Sequence, residues 1–217
     1  MQQNGANMKV LLVNGSPNKN GSTNRALTEI ANTLKDCGID SEIFWIGKEA
    51  ISGCISCRGC KNLGKCAIDD IVNPFIDHAK DFDGFIFGSP VYYAGANGSL
   101  LAFMDRVFYS GKTSGKNIFA NKPAAAVASA RRAGTTPTLD AINRFFAISS
   151  MPIITSTYWN EVHGNSPEET EQDGEGLKTM RNLARNMAWF LKIKEAGERA
   201  GITPPELESR PYTNFIR

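Results

Sequence analysis

The chain has 217 residues, of which 41% are hydrophobic and 21% charged, and its formal net charge is +2. This length suits a single domain that buries about 70% of its unfolded surface. The small net charge gives no indication of a nucleic-acid or membrane partner, and no apolar run approaches the roughly 20 residues of a membrane helix. Residues 1–7 are polar and lack the apolar core of a secretory signal, so we expect a cytoplasmic protein.

Short apolar segments alternate with helical patterns along the chain. Strands are predicted over 9–15, 41–47, 84–90, 122–130 and 151–157, and helices over about 25–38, 71–79, 98–109, 138–149 and 175–196. This alternation predicts an α/β fold with a parallel sheet and helices on both faces. Right-handed crossovers favour a doubly wound, five-stranded order of 2-1-3-4-5. We expect one domain over 8–196 and a tail over 197–217 that packs at an interface.

The loop after the first strand, "GSPNKNGSTN", indicates a phosphate site at a helix start. Its glycines allow tight turns, and its serine, threonine and asparagine side chains offer short polar groups. The free N–H groups of the following helix face the same loop. No ATP-type P-loop or dinucleotide motif is present, so the pattern favours a phosphate monoester. The alternative is that Ser22, Thr23 or Asn24 only caps the helix.

Two further loops reach the same edge of the predicted sheet, because ligands of such folds bind beyond the carboxyl ends of the strands. "GSPVYYAGANGSL" follows the third strand and offers apolar and aromatic groups to a flat ring, or else forms a buried aromatic turn. "ASARRAGTTPT" follows the fourth strand, and its two arginines could hold a ring or phosphates, or remain solvated. The three loops together predict one cofactor site.

These loops resemble those of the NADPH-dependent FMN reductase branch of the flavodoxin-like superfamily. The resemblance implies a three-layer flavodoxin-like fold, FMN as cofactor and NAD(P)H as co-substrate. It implies that the FMN phosphate is held by Ser16, Asn18, Ser22, Thr23 and Asn24. It also implies that the ribityl chain and ring lie along Pro90, Val91, Tyr92 and Tyr93, and that the pocket is closed by Ser129, Arg131, Arg132 and Gly134.

Four cysteines, Cys54, Cys57, Cys60 and Cys66, have the spacing C-x2-C-x2-C-x5-C. Such a set can bind a [4Fe–4S] cluster or a zinc ion, or can act as a thiol pair or a loop without metal. The segment "CISCRGCKNLGKCAIDD" resembles the iron–sulfur flavoproteins of the multimeric flavodoxin group. That resemblance implies a [4Fe–4S] cluster near the flavin.

The main functional expectation is an FMN-dependent oxidoreductase that takes a hydride from NAD(P)H and reduces a quinone, a flavin or another small acceptor. No catalytic side chain is predicted, because the cofactor itself carries the hydride. The first alternative is an iron–sulfur flavoprotein electron carrier with a ferredoxin-like protein partner. The second is a non-enzymatic redox sensor. The resemblance implies a homodimer or homotetramer.

Overall fold

A computed structural model describes residues 8–206 and residue 208 of the chain. The strands are β1 (Lys9–Asn14), β2 (Asp40–Trp45), β3 (Gly84–Tyr92), β4 (Gly95–Ala96), β5 (Ala124–Ala130) and β6 (Glu161–His163). The helices are α1 (Ser22–Asp36), α2 (Gly59–Leu63), α3 (Val72–Ala79), α4 (Gly98–Thr113), α5 (Thr135–Ile148), α6 (Pro167–Thr170) and α7 (Gly174–Arg199). Among the described helices, none is both long and apolar enough to cross a bilayer.

Five parallel strands form the sheet in the order β2-β1-β3-β5-β6. The two-residue strand β4 turns back antiparallel onto the end of β3. Apart from this short addition, the arrangement is the predicted order 2-1-3-4-5, so the α/β fold class is confirmed. The carboxyl ends of β1, β3 and β5 consequently lie side by side at one edge of the sheet.

Each face of the sheet carries its own apolar core. Leu11 and Val13 of β1 pack with the phenylalanines of α3, α4 and α5, while Val10 and Leu12 face α1 and α7. The side chains of a strand alternate between its two faces, and both faces are covered by helices here. This explains why the central strands appear in the sequence as continuous apolar runs.

The predicted fifth strand over 151–157 is wrong. The chain touches β5 first at 152–154, where Ala124 N donates to the Pro152 carbonyl and Ile154 N donates to the Ala124 carbonyl. It then leaves the sheet and returns as β6, which pairs with the other end of β5. The apolar run 151–157 therefore marks only an isolated bridge, and the three-residue strand lies further on.

The short elements α2, α6 and β4 were not predicted, since each is too short to show a periodic pattern. Helix α7 runs three residues beyond its predicted end at 196. Of the predicted tail over 197–217, residue 207 and residues 209–217 lie outside the described residues. Its packing at an interface stays a prediction.

Candidate functional site

One cavity of about 320 Å³ lies at the carboxyl ends of β1, β3 and β5, between the loops that follow them. We call it the three-loop cavity. It is lined by Ser16, Asn18, Gly21, Ser22, Thr23, Pro90, Val91, Tyr92, Ser129, Ala130, Arg131 and 164–167. Its volume is in the range of cavities that bind small molecules and cofactors.

The β1–α1 loop is held in shape by its own hydrogen bonds. Ser16 N donates to Asn14 Oδ1 at 3.0 Å, and Asn18 N donates to Ser16 Oγ at 3.1 Å. From β2, the Trp45 indole N–H donates to the Ser16 carbonyl at 2.7 Å, and Lys19 Nζ lies 5.6 Å from the centre of the Trp45 ring. Trp45 was not anticipated as part of the site, because this contact joins residues far apart in the sequence.

Helix α1 begins in this loop without a capping side chain. Its N-cap residue is Gly21, which has no side chain to offer, so the alternative in which Ser22, Thr23 or Asn24 caps the helix is wrong. The first N–H groups of a helix have no partner within the helix and attract negative charge. The helix end therefore suits an anion such as a phosphate.

The β3 side of the cavity is tied to the β1 loop by Asn97. Its side chain donates to the Gly15 carbonyl at 2.6 Å and accepts from Ser99 N at the start of α4. Strand β3 continues through Val91 and Tyr92, two residues beyond its predicted end at Pro90. Tyr93 follows, with a positive φ of 47° and a fully exposed side chain.

The β5 side is fixed by a buried hydroxyl pair and a close backbone contact. Thr23 Oγ1 and Ser129 Oγ are 2.7 Å apart and join α1 to β5. Gly134 has a φ of +95°, and a Cβ atom there would lie 2.6 Å from Val91 Cγ1 and 2.7 Å from Ala94 Cα. The loop after β5 therefore packs directly against the loop after β3.

Nine of the thirteen predicted cofactor-binding residues line the three-loop cavity: Ser16, Asn18, Ser22, Thr23, Pro90, Val91, Tyr92, Ser129 and Arg131. The other four do not line it. Asn24 turns toward Asn14 of β1, Tyr93 points into solvent, Arg132 offers its carbonyl to His163, and Gly134 supports the loop from behind. The assignment of all thirteen residues as FMN ligands stays a prediction.

The segment 164–167 contributes to the cavity and was missed. It follows β6 directly, as the other cavity loops follow their strands. The predicted fifth strand ends at 157, so the loop after it is expected to begin at 158. In the structure the strand ends at His163, and the loop after it begins at Gly164. The missed lining segment is thus a consequence of the misplaced strand.

The four clustered cysteines line a second, smaller cavity, which we call the cysteine cavity. Its volume is about 20 Å³, and Arg106 and Tyr109 of α4 close it from the protein side. Cys54 and Cys57 are exposed, Cys60 is buried and Cys66 is half-buried. Among residues 8–206, no three His, Cys, Asp or Glu side chains are arranged to hold a single metal ion.

Among the residues that the structure describes, Arg106 is the largest fully buried side chain, with 1% of its surface exposed. Its guanidinium pairs with Asp70 at 2.5 and 2.8 Å and lies 3.4 Å from Cys66 Sγ through both Nε and Nη2. Burial raises the pKa of Asp70, but hydrogen bonds from Arg106 and Val72 N outweigh it and lower that pKa overall. Arg106 lies among the apolar residues of α4, and an arginine in such a position was the feature of the sequence that could have indicated a buried charged partner.

The amide of Asn73 holds the backbone of Cys66 from the other side. Cys66 N donates to Asn73 Oδ1 at 2.9 Å, and Asn73 Nδ2 donates to the Cys66 carbonyl at 3.0 Å. Asn73 is buried in the first turn of α3. The position of Cys66 is therefore fixed by α3 as well as by α4.

Comparison with known proteins agrees with this geometry. The family model described as NADPH-dependent FMN reductase matches residues 8–165. An iron–sulfur flavoprotein of Methanocaldococcus jannaschii is 34% identical over an alignment of 198 positions, which covers 86% of this chain and 98% of that protein.

Two solved structures show the same fold. A structure described as flavone reductase has a TM-score of 0.66 at 20% identity, over 87% of this chain and 64% of that one. A flavodoxin from the domain Archaea has a TM-score of 0.58 at 16% identity, over 85% of this chain and 99% of that one. The matches support flavin-dependent oxidoreduction or electron transfer, with FMN as cofactor. The chain belongs to the NADPH-dependent FMN reductase family and groups there with the iron–sulfur flavoproteins.

Proposed function

We propose that this protein exchanges electrons between FMN in the three-loop cavity and a [4Fe–4S] cluster in the cysteine cavity. The observation that carries the proposal is that all four clustered cysteines line one cavity and that no other metal-binding residue type lines it. The iron–sulfur flavoprotein relative, matched over nearly its whole length, supports the same assignment. When bound, FMN supplies two-electron and one-electron chemistry and the cluster supplies one-electron chemistry.

The residues of the three-loop cavity suit FMN. The uncapped start of α1, with Ser16 and Ser22 beside it, would bind the phosphate. Val91 and Tyr92 would lie against the ring, because they offer an apolar and an aromatic side chain to the cavity. The chain's own contribution is to bind and orient the cofactor.

The cysteine cavity suits a cluster in its donor set. Four thiols are the usual ligands of a [4Fe–4S] cluster. The free space of about 20 Å³ holds roughly one water, so a cluster requires the loop to open. Cys54 and Cys57 are on the exposed side, in a segment that forms neither helix nor strand, so the proposed opening would involve this segment.

Zinc suits the cysteine cavity less well. Structural zinc sites usually take their ligands from two separated pairs of residues. The spacing C-x2-C-x2-C-x5-C instead places three cysteines in one compact run, which is a recurrent source of ligands for a [4Fe–4S] cluster.

A second candidate is the reduction of a small acceptor by NAD(P)H through FMN. The family name supports a pyridine nucleotide as electron donor. Arg131 is exposed at the edge of the three-loop cavity, where it could meet a phosphate of the nucleotide, and Tyr92 is 46% exposed beside it. Either candidate suits a reducing compartment such as the cytoplasm, where thiols stay free.

Anaerobic purification followed by visible spectroscopy and by iron, sulfide and flavin assays tests the proposal. We expect flavin bands on a broad iron–sulfur absorption and about four irons per chain. Replacing Cys66 with serine should lower the iron content and leave FMN bound, while Cys37→Ser, a matched control outside the cavity, should change neither. Flavin without iron in the anaerobic wild-type protein would contradict the cluster.

Steady consumption of NAD(P)H with a quinone or free flavin as acceptor distinguishes the second candidate from the first. If turnover is steady and is unchanged in Cys66→Ser, the protein is an FMN reductase whose activity does not need the cysteines. If NAD(P)H is not consumed but a reduced ferredoxin-like protein bleaches the flavin, the electron-carrier function is supported.

A further inference from the structure

We propose that Arg106 positions Cys66 as a cluster ligand and raises the reduction potential of the cluster through N–H donors to the Cys66 sulfur. This inference rests on the proposed cluster and concerns a residue outside the four cysteines. Arg106 would thus position Cys66 and also raise the reduction potential of the cluster.

Arg106 uses two edges of its guanidinium for two different partners. The edge formed by Nη1 and Nη2 faces the Asp70 carboxylate, at 2.5 and 2.8 Å. The edge formed by Nε and Nη2 faces Cys66 Sγ, at 3.4 Å from both nitrogens. Such paired contacts fix direction as well as distance.

The same guanidinium joins the two ends of the cysteine loop. It also donates to the carbonyls of Ser52, at 3.3 Å, and Ile68, at 3.1 Å. Ser52 precedes the first clustered cysteine, and Ile68 follows the last. One side chain of α4 therefore holds both flanks of the loop and its last thiol in a fixed relation.

The sulfur of Cys66 completes the set of acceptors around this buried cation. Asp70 and the two carbonyls accept from Nη1 and Nη2, and Cys66 Sγ is the acceptor that the structure gives to Nε. The Nε edge is aimed at sulfur, which is a weak acceptor as a neutral thiol and a strong one as a thiolate. The arrangement therefore suits a negatively charged sulfur at Cys66, as in a cluster ligand.

Donors to cluster sulfurs favour the reduced state, because the reduced cluster carries one more negative charge. Partners of the ligands also determine how well a metal site holds its metal. Removal of the Arg106 donors should therefore lower the potential and loosen the cluster.

The test compares Arg106→Gln and Arg106→Lys with Lys61→Gln in the full chain, reconstituted with iron and sulfide without oxygen. Lys61 is an exposed cation next to Cys60 and serves as the control for charge alone. Flavin content and far-UV circular dichroism verify folding. The cluster potential is measured by redox titration followed by electron paramagnetic resonance.

For Arg106→Gln we expect the ratio of reduced to oxidised cluster at a fixed potential to fall about tenfold, which is about 59 mV for one electron. For Arg106→Lys we expect a smaller fall in this ratio, and for Lys61→Gln the ratio of the wild type. Folded Arg106 variants that keep FMN but lose iron would also support the positioning role. Fully loaded Arg106 variants with the wild-type potential would overturn the inference.

If both Arg106 variants fail to fold, the contact is tested in the wild-type protein. With ¹⁵N-labelled arginine, pulsed electron paramagnetic resonance of the reduced cluster should show a coupling to guanidinium nitrogen, and its absence would contradict the contact. Wild-type protein that takes up no iron would refute the proposed cluster itself. A loaded wild type with no ¹⁵N coupling would refute only the role of Arg106.

Discussion

At the scale of single residues, the three-loop cavity depends on residues that do not line it. Trp45 and Gly134 both act on the loops from outside the lining. Neither residue was anticipated in this role, because a hydrogen bond from β2 to the β1 loop cannot be read from spacing along the chain. Gly134 was predicted as a pocket residue, and the structure instead places it behind the loop.

Replacing Gly134 with alanine should weaken FMN binding and destabilise the fold. The new Cβ meets Val91 and the backbone of Ala94 well inside van der Waals contact, and a φ of +95° strains any L side chain. We expect a loss of about 2–4 kcal/mol in urea unfolding, with a higher dissociation constant for FMN.

Gly38→Ala is the matched control, since Gly38 has a φ of +77° and no atom within 4 Å of the added Cβ. It should lose only about 1–2 kcal/mol from backbone strain and bind FMN normally. Equal FMN affinity in the two variants would show that the contact with Val91 does not shape the cavity.

Replacing Trp45 with phenylalanine removes the donor to the Ser16 carbonyl and keeps an aromatic ring. The loss of about 1 kcal/mol from one hydrogen bond should raise the FMN dissociation constant about fivefold, as measured by flavin fluorescence titration. Trp189→Phe is the control, because Trp189 is 65% exposed and does not line the cavity. Unchanged FMN affinity in Trp45→Phe would exclude a role for the indole N–H.

At the scale of elements, a charged cluster joins α1 to α7. Glu29 accepts from Arg25 of the same helix at 2.8 Å and from Arg181 of α7 at 2.5 Å. Burial raises the pKa of Glu29, but the hydrogen bonds from Arg181 and Arg25 outweigh it and lower the pKa overall. The carboxylate is therefore charged in the folded state to a lower pH than in the unfolded chain.

Glu29→Gln should reduce the free energy of unfolding at pH 7 by about 1–2 kcal/mol, discounted because Arg181 is partly exposed. The contribution of Glu29 is present above its unfolded pKa, near 4.5, and is lost as the pH falls through the lower folded pKa. The difference between wild type and variant should thus shrink as the pH falls below about 4.5. Glu198→Gln, which breaks an exposed pair on α7, should cost only about 0.3–0.5 kcal/mol.

The elements were predictable where burial gives a strong pattern. The three central strands β1, β3 and β5 are apolar runs covered on both faces, and the long helices show clear apolar spacing. The fifth strand has the sequence "EVH" and only one buried residue, so no pattern indicates it. The run at 151–157 is apolar for another reason: Met151 and Ile154 pack into the core beside a single bridge.

The spacing of the cysteines was visible in the sequence, but their surroundings were not. The contact of Arg106 with Cys66 joins residues 40 positions apart and depends on how α4 lies against the loop. An arginine in an apolar helix face can be read as a surface residue or as a buried partner. Only the packing of the whole fold distinguishes the two.

At the scale of the whole molecule, FMN should stabilise the fold. At a concentration of about 100 times its dissociation constant, a ligand of the native state adds about 2.7 kcal/mol, or about 5–10 °C in melting temperature for a chain of this size. Riboflavin lacks the phosphate and should raise the melting temperature of the apo-protein much less. Equal shifts with FMN and riboflavin would contradict a phosphate site at the start of α1.

Helix α4 reaches both cavities. Its N-cap, Asn97, donates to the Gly15 carbonyl beside the three-loop cavity, and Arg106, nine positions later, closes the cysteine cavity. At 1.5 Å per residue these points lie about 13.5 Å apart along the helix axis. The spacing between these two points is therefore set by the rise per residue of one helix and not by the lengths of the loops. Insertions in either loop can change what each cavity binds, while the distance along α4 between the proposed FMN site and the proposed cluster site stays the same.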